Sequence, residues 1–457
     1  MYRQQPQDQA AAPQAPGIVN VSRRGFVKGL GGLALGVYFA PLLGAHAQAA
    51  ALPPAGGTLA PNAFVRIGTD GSVTVISKHL EMGQGSYTGL ATILAEELDA
   101  DWSKVVVQGA PADRTRYANL AFPNQIQGTG GSSAMANSWS QLREAGATAR
   151  AMLVSAAAAR WKVDPASIQV EQGVVKHPAS GRSAGFGELA EAASKLPVPR
   201  EVALKQPKDF KLIGRTGLPR KDTPGKVDGS AIYTQDLKLP GMLVAVAAHP
   251  PRFGGKPGKV DASKAKAIPG VVAVVPYPAS PRHAAGVAVL AKNTWIARQG
   301  RDALEISWDE DAAFRQSTPE LFQHYRELAA QPGDVAATRG DAAKILGGGG
   351  KRVEAVFEFP YLAHAPMEPI NCMLQLGDDG CQVWNGEQFQ TLDQLNLADE
   401  LGLKPEQVKI EQLFAGGSFG RRAHPHSEYL CETAAIARAA REQGIHGPIK
   451  LVRMRTS

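Results

Sequence analysis

Glycine-containing turns between strand-like and helix-like segments restrict the fold of this chain more than any other sequence feature. Three of them stand out, at Gly83–Gly85, Gly128–Gly131 and Gly416–Gly420. Glycine reaches backbone angles that other residues avoid and lets the main chain approach a ligand closely, and N–H groups at a helix start attract anions. One such turn alone favours a structural hairpin or helix cap. Three together favour a surface built around a large anionic ligand.

The segments beside these turns have the hydrophobic periodicity of a protein that mixes helices and strands. Ser72–Ser77 alternates with period two and predicts a strand. Ala134–Trp161 predicts a long helix, with Ser132 or Ser133 as its N-cap. Val353–Phe359 is strand-like and begins the last part of the chain. Further predicted strands are Val105–Val107, Gly286–Leu290, Leu304–Trp308, Gln382–Trp384, Val408–Leu413 and Ile449–Val452, and further predicted helices are Thr391–Leu401 and Glu428–Arg441.

Composition and charge exclude several classes of protein. Hydrophobic residues make up 44% and charged residues 20% of the chain, which is typical of a globular protein rather than a disordered one. The net charge of +7 is not arranged as a basic stripe with interleaved aromatic residues, so nucleic-acid binding is not expected. Cys372, Cys381 and Cys431 form no Cys-x-x-Cys pair. We therefore expect neither a structural zinc nor an iron–sulfur cluster in this chain.

The first fifty residues have the features of an export signal. A Ser-Arg-Arg-x-Phe-x-Lys pattern containing Arg23 and Arg24 precedes the apolar stretch Leu30–Leu43, which is too short and too rich in glycine for a membrane span. An Ala-x-Ala cleavage pattern follows at residues 45–47. These residues resemble a twin-arginine signal peptide, which carries folded proteins across the membrane. We expect residues 1–50 to be that signal and the protein to be periplasmic; the alternative is a chance arginine pair.

Four motifs together resemble those of a known family. They are Glu81-Met-Gly-Gln-Gly85, Gln127-Gly-Thr-Gly-Gly-Ser-Ser133, Ala363-His-Ala-Pro-Met-Glu-Pro-Ile-Asn-Cys372 and Gly416-Gly-Ser-Phe-Gly-Arg-Arg422. In this order they are similar to the molybdenum-binding large subunit of the xanthine dehydrogenase/aldehyde oxidase family, of the isoquinoline 1-oxidoreductase β-subunit type. The resemblance covers residues 20–455.

The resemblance implies an α/β (α+β) fold with a molybdopterin-binding domain in two pieces. The first piece would be residues 51–205 and the second residues 311–457. Residues 206–310 would form the aldehyde oxidase/xanthine dehydrogenase a/b hammerhead domain, inserted between them. Because relatives of this family continue further, the second piece is expected to be incomplete.

The cofactor implied by the resemblance is molybdopterin cytosine dinucleotide. Its dithiolene holds the molybdenum, so no protein side chain is expected to bind the metal. By resemblance, Gln84 bonds the pterin, the second turn cradles pterin and phosphate, Gln388 faces the apical molybdenum oxygen, and the third turn surrounds the metal. Many relatives have glycine where this chain has Ser418, which leaves the local backbone angle open. The implied cofactor-binding residues are Gly83, Gln84, Gly85, Gly130, Gly131, Ser132, Ser133, Gln388, Gly416, Gly417, Ser418, Phe419, Gly420 and Arg421.

The resemblance also implies an activity and its partners. The family oxidises aldehydes or N-heterocycles with water as the oxygen source, and the electrons leave through a small [2Fe–2S] subunit to a cytochrome c or a similar acceptor. A cytochrome partner would attach the protein to the inner membrane. The family's catalytic glutamate lies beyond Ser457, so the catalytic residue is unknown; Glu368 and Glu81 are expected to be structural. The alternatives are a non-catalytic remnant of the fold and a pyrroloquinoline-quinone dehydrogenase, for which we find no propeller repeat.

Overall fold

The structure is a computed structural model that describes residues 59–454. The predicted signal peptide lies outside the described residues. Helices and strands are mixed along the described chain, which confirms the predicted fold class. Within residues 59–454, none of the helices has the length and apolar character that a membrane span requires.

The strands of the described chain are numbered β1–β16. Their bounds are Leu59–Asn62, Val65–Ile67, Val73–Ser77, Val105–Gly109, Gln169–Glu171, Val174–His177, Arg182–Gly185, Leu243–Ala248, Lys256–Asp261, Val271–Tyr277, Gly286–Ala291, Glu305–Asp309, Asn371–Leu376, Cys381–Asn385, Val408–Gln412 and Ile449–Val452. The α-helices α1–α11 are Ser86–Leu98, Arg114–Tyr117, Ala134–Trp161, Phe186–Ser194, Thr223–Asp228, Ser263–Lys266, Thr294–Asp302, Thr318–Ala329, Ala342–Leu346, Gln390–Leu401 and Glu428–Glu442.

The first hydrophobic core lies between a four-stranded sheet and the helices α1, α3 and α4. The strands follow the order β1-β2-β3-β4; β3 and β4 are parallel, and α1 connects them. Helix α3 approaches α1 so closely that only glycine fits at the crossing. A Cβ on Gly146 would lie 2.3 Å from the carbonyl oxygen of Leu94. Strands β5–β7 form a separate three-stranded sheet.

The second core is built on a seven-stranded sheet with the order β10-β11-β8-β16-β13-β14-β15. The pairs β8–β16 and β14–β15 are parallel, and the others are antiparallel. Helix α10 connects β14 to β15, and α11 packs against the sheet. Strands β8, β10 and β11 come from the predicted hammerhead segment and share this sheet with strands from the predicted second molybdopterin piece. The domain boundaries themselves stay a prediction.

The strand predicted over Val353–Phe359 is wrong. None of the sheets in the described chain includes this segment, and its apolar side chains are exposed, Val353 by 83% and Phe359 by 77%. A strand exists only where a neighbouring strand supplies the other half of the hydrogen-bonded ladder, whatever the side-chain pattern. The segment instead contacts α8, through a hydrogen bond of 2.9 Å between Arg326 Nε and Glu358 Oε1.

Candidate cofactor-binding site

The first glycine turn joins β3 to α1 and is organised by a buried carboxylate. Glu81 Oε1 accepts hydrogen bonds from the amides of Gly83 and Gly85, at 2.8 and 3.2 Å, and its Oε2 accepts from the amide of Tyr87 at 3.1 Å. Gly83 and Gly85 have φ angles of +110° and +91°, which favour glycine. Glu81 therefore caps the turn and helix α1, as the sequence interpretation expected.

Gln84 lies at the exposed tip of this turn, and its amide takes part in the turn itself. Its Oε1 accepts a hydrogen bond from the amide of Met82 at 2.8 Å, and its Nε2 donates to the carbonyl of Leu80 at 2.7 Å and to the hydroxyl of Ser86 at 3.2 Å. These bonds fix the side chain where solvent or a ligand reaches it. Its contact with a pterin stays a prediction.

The second glycine turn precedes α3 and is held from two sides. Thr129 Oγ1 accepts from the amide of Leu80 at 2.8 Å, which ties the second turn to the first. Ser133 Oγ donates to the carbonyl of Gly130 at 2.7 Å and accepts from Asn119 Nδ2 at 2.7 Å. The turn therefore has a buried, hydrogen-bonded side.

Helix α3 begins at this turn without a side-chain cap. Ser133 occupies the N-cap position, as predicted, but its hydroxyl bonds back to the turn and does not cap the helix. Gly131 and Ser132 have positive φ angles, 59° and 53°, and both are exposed. A helix N-terminus carries a partial positive charge and N–H donors, so this end is suited to an anionic group.

Two buried basic residues lie beneath the second turn. Burial lowers the pKa of Lys78 to about 7 and, together with the charge of Lys78, lowers that of His79 to about 3. Lys78 Nζ donates to the carbonyl of Ala118 at 3.1 Å and to Gln141 Oε1 at 2.8 Å. At neutral pH His79 is uncharged, and the charge of Lys78 depends on pH. Neither residue belongs to a motif, so sequence reasoning missed both.

The third glycine turn follows β15 and contains Ser418 in an ordinary backbone conformation. The positive φ angles fall on its neighbours Gly417, Phe419 and Gly420, at 95°, 54° and 89°. The Ser418 hydroxyl donates to Gln388 Oε1 and accepts from the amide of Arg422 at 3.0 Å. Serine therefore fits this position, and its hydroxyl makes contacts that glycine cannot.

Gln388 connects the second and third turns. Its Nε2 donates to the carbonyl of Thr129 at 2.7 Å, while its own carbonyl accepts from the amide of Thr129 at 2.8 Å. The amide of Ala415 donates to the carbonyl of Glu81 at 3.2 Å, which links the third turn to the first. The structure thus brings together the three turns and Gln388, although the first and third turns are more than 300 residues apart in the sequence.

A buried ion pair beneath the third turn was missed from the sequence, although its residues lie within the motifs. Arg422 donates to the carbonyls of Gly417 and Gly386, at 3.1 and 3.0 Å, and to Glu368 Oε2 at 2.8 Å. Glu368 also accepts from the amide of Gly416 at 2.8 Å. It is therefore structural, as expected. The neighbouring Arg421 pairs with α11, where its Nη2 lies 2.6 Å from Glu428 Oε2, and its contact with the cofactor stays a prediction.

Two buried carboxyl groups lie behind Gln388. Within the described residues, neither oxygen of Glu387 has a hydrogen-bond partner, and burial raises its pKa well above the usual range. Asp393 accepts a bond of 2.5 Å from the hydroxyl of Ser427, yet burial raises its pKa to about 8. Burial therefore favours the protonated form of both groups. No local sequence pattern marks them, because only the tertiary structure removes them from water.

Comparison with known proteins agrees with this geometry. Models of the molybdopterin cofactor-binding domain match residues 19–234 and 327–456. The chain is 32% identical to the beta subunit of isoquinoline 1-oxidoreductase from Brevundimonas diminuta, over 93% of this chain and 59% of that protein. It is 30% identical to a membrane-bound aldehyde dehydrogenase (pyrroloquinoline-quinone) of Gluconacetobacter polyoxogenes, over 88% of this chain and 51% of that protein.

A third relative, a nicotinate dehydrogenase subunit from Pseudomonas putida, is also 30% identical, over 82% of this chain and 30% of that protein. The chain thus spans about half the length, or less, of the curated relatives that it matches. Similarity nevertheless extends over nearly the whole chain, and the structure gathers the predicted motifs at one place. The chain belongs to the molybdenum-binding subunits of the xanthine dehydrogenase/aldehyde oxidase family.

Proposed function

We propose that this chain is the molybdopterin-binding part of a periplasmic oxidoreductase that acts on aldehydes or N-heterocycles with water as the oxygen source. The relatives described above are named for isoquinoline, an aldehyde and nicotinate, which supports this substrate class. The observation that carries the proposal is the convergence of three glycine turns on Thr129 and Gln388.

The residues present fit a large anionic cofactor. A Cβ on Gly83 or Gly420 would meet no atom within 4 Å, so these turns offer bare main chain to a ligand. Phe419 is 74% exposed beside them, and the uncapped start of α3 provides N–H groups for a phosphate. We propose the cytosine dinucleotide form of molybdopterin as the ligand and residues 206–310 as a hammerhead domain.

The protein residues would orient the cofactor and exclude water from one side of it. When bound, a molybdenum dithiolene supplies the two-electron redox centre for transfer of a water-derived oxygen to carbon. Gln388 is held by Thr129 and Ser418 and would present its amide to the cofactor, while the second turn would bind phosphate. Glu81 accepts donors from the first turn and Glu368 accepts donors from the third, so both carboxylates are engaged in holding the turns.

We also propose a separate [2Fe–2S] subunit as the electron acceptor of this chain, with a cytochrome c or a similar protein beyond it. Cys372, Cys381 and Cys431 are buried as single thiols. Burial raises the pKa of each of these thiols, which opposes the thiolate form that a cluster requires. A cytochrome partner would hold the complex at the inner membrane.

One observation favours a second candidate, a non-catalytic chain that binds the cofactor without turnover. Both carboxylates at the turns are engaged, and general-base catalysis needs a free group near the reacting water. We expect the 457-residue chain, expressed with its small subunit, to oxidise no aldehyde or N-heterocycle above the cofactor-free background. Dye reduction that is abolished by tungstate in the growth medium would contradict this expectation and support the catalytic function.

Metal and nucleotide analysis tests the cofactor assignment. The purified chain should contain about one molybdenum, and acid hydrolysis should release about one CMP per chain. Release of GMP or no nucleotide would contradict the cytosine form. A chain without molybdenum, when isolated from cells that load other molybdenum hydroxylases, would contradict the proposed function as a whole.

A further inference from the structure

Two cations and a carboxylate lie against the first cofactor turn, on a segment in which sequence reasoning placed no site residue. Arg220 Nη2 and Lys226 Nζ lie 3.4 and 3.5 Å from Glu81 Oε1. Both also bind Asp222 Oδ2, at 2.7 and 2.6 Å. We call Arg220, Asp222 and Lys226 the Arg220 cluster. Its contacts connect helix α5 and the loop before it to the turn between β3 and α1.

The Arg220 cluster also contacts the backbone of the turn. Arg220 Nη1 lies 3.4 Å from the carbonyl oxygen of Gly83. Its guanidinium carbon would be 3.8 Å from a Cβ on Gly85, so it covers one side of that glycine. Thr88, in the first turn of α1, accepts from the amide of Lys221 at 2.9 Å. The segment is thus fixed to the turn at several points.

Charge explains why the cluster matters for the turn. Glu81 is fully buried and accepts two amides of its own turn and one of α1. A buried carboxylate is costly unless cations compensate its charge. Arg220 and Lys226 supply that compensation, and Asp222 holds them in place. Burial alone would raise the pKa of Asp222, but hydrogen bonds from Arg220 and Lys226 hold it below its usual range.

We propose that Arg220, Asp222 and Lys226 are positioning residues that hold Glu81, and through it the Gly83–Gly85 turn, in the shape that receives the cofactor. The identity of that ligand rests on the proposed function. The cluster acts through Glu81 and not by touching the cofactor. Loosening the segment that carries it should therefore loosen the turn, and should leave the rest of α1 unchanged.

Hydrogen exchange measured by mass spectrometry on the full, cofactor-free chain tests this proposal. Lys226→Met and Arg220→Met keep the aliphatic stem and remove the charge. We expect the amides of residues 83–87 to exchange about tenfold faster in each variant, because a hydrogen bond to a charge is strengthened by that charge. Amide exchange in residues 90–98 should not change, and an unchanged rate there would show that α1 still folds. Lys226→Arg restores the charge and should return exchange to the wild-type rate.

A charge-matched pair separates the cluster from a general electrostatic effect. Asp222→Asn should accelerate exchange at residues 83–87, since an amide cannot hold two cations. Asp228→Asn removes the same charge at the end of α5, where Asp228 is exposed and accepts hydrogen bonds from Ser230, outside the Arg220 cluster. This control should exchange like the wild type.

Unchanged exchange at residues 83–87 in Lys226→Met and Arg220→Met would overturn the proposal, as would equal acceleration in Asp228→Asn. When the chain is isolated with molybdenum, Lys226→Met should lose the metal on dialysis several-fold faster than the wild type, and equal retention would also overturn it. The exchange readout needs no cofactor. A chain that never binds molybdenum but shows the exchange response would therefore refute the proposed function and leave the positioning of the turn supported.

Discussion

Replacing Arg422 by methionine should destabilise the protein strongly. Methionine keeps much of the length of the arginine but removes its nitrogen donors. The Arg422 side chain is fully buried, so its replacement removes the cation from the buried Glu368 carboxylate and a donor from the carbonyls of Gly417 and Gly386. Removing one partner of a buried ion pair costs about 3–5 kcal/mol. Because Glu368 keeps the amide of Gly416 as a donor, we expect a loss of about 4 kcal/mol.

Urea unfolding of the full chain at pH 7, followed by circular dichroism, measures this loss as a change in the free energy of unfolding. Glu368→Gln combined with Arg422→Met should cost less than the sum of the single changes by about 2 kcal/mol, because the double variant leaves no buried unpaired charge. Arg421→Met is the matched control. Arg421 is partly exposed and pairs with Glu428, so we expect a loss below about 1 kcal/mol. A loss below about 1 kcal/mol for Arg422→Met, or strict additivity, would refute the reasoning.

Three further predictions concern folding and export. Since the pKa of Asp393 is about 8 when folded, the unfolded chain releases a proton that the folded chain keeps, and unfolding becomes easier as the pH rises from about 4 to about 8. Asp393→Asn should reduce the pH dependence of the free energy of unfolding by up to about 1.4 kcal/mol per pH unit, measured by urea titrations at pH 5 and pH 8. An unchanged pH dependence would show that Asp393 is not its source. Gly416→Ala should lower the free energy of unfolding by about 1–3 kcal/mol in the same assay, because the new Cβ would lie 2.5 Å from Cβ of Glu368. The control Gly349→Ala meets nothing within 4 Å and should lower it by less than about 0.5 kcal/mol. Changing Arg23 and Arg24 to Lys should leave the precursor in the cytoplasm by cell fractionation, and undiminished periplasmic yield would contradict twin-arginine export.

The sequence alone determined the local elements and the character of the turns. The predicted helix Ala134–Trp161 agrees with the structure at both ends, because its periodicity and its flanking turn are local signals. Gly83, Gly85, Gly417 and Gly420 all adopt the positive φ angles for which glycine is suited. The resemblance carried by the same motifs identified the family, which the comparisons confirm.

Only the tertiary structure decided which groups meet and which lose contact with water. The strand-like composition of Val353–Phe359 predicted a strand, but pairing depends on a neighbour that the local sequence does not specify. Arg422 and Gln388 lie within or near the motifs, yet their partners are 54 and 259 residues away. The same holds for the Arg220 cluster, whose charges resemble those of ordinary surface residues until the fold places them against Glu81. Hydrogen bonds and desolvation depend on distance in space, and a sequence records only distance along the chain.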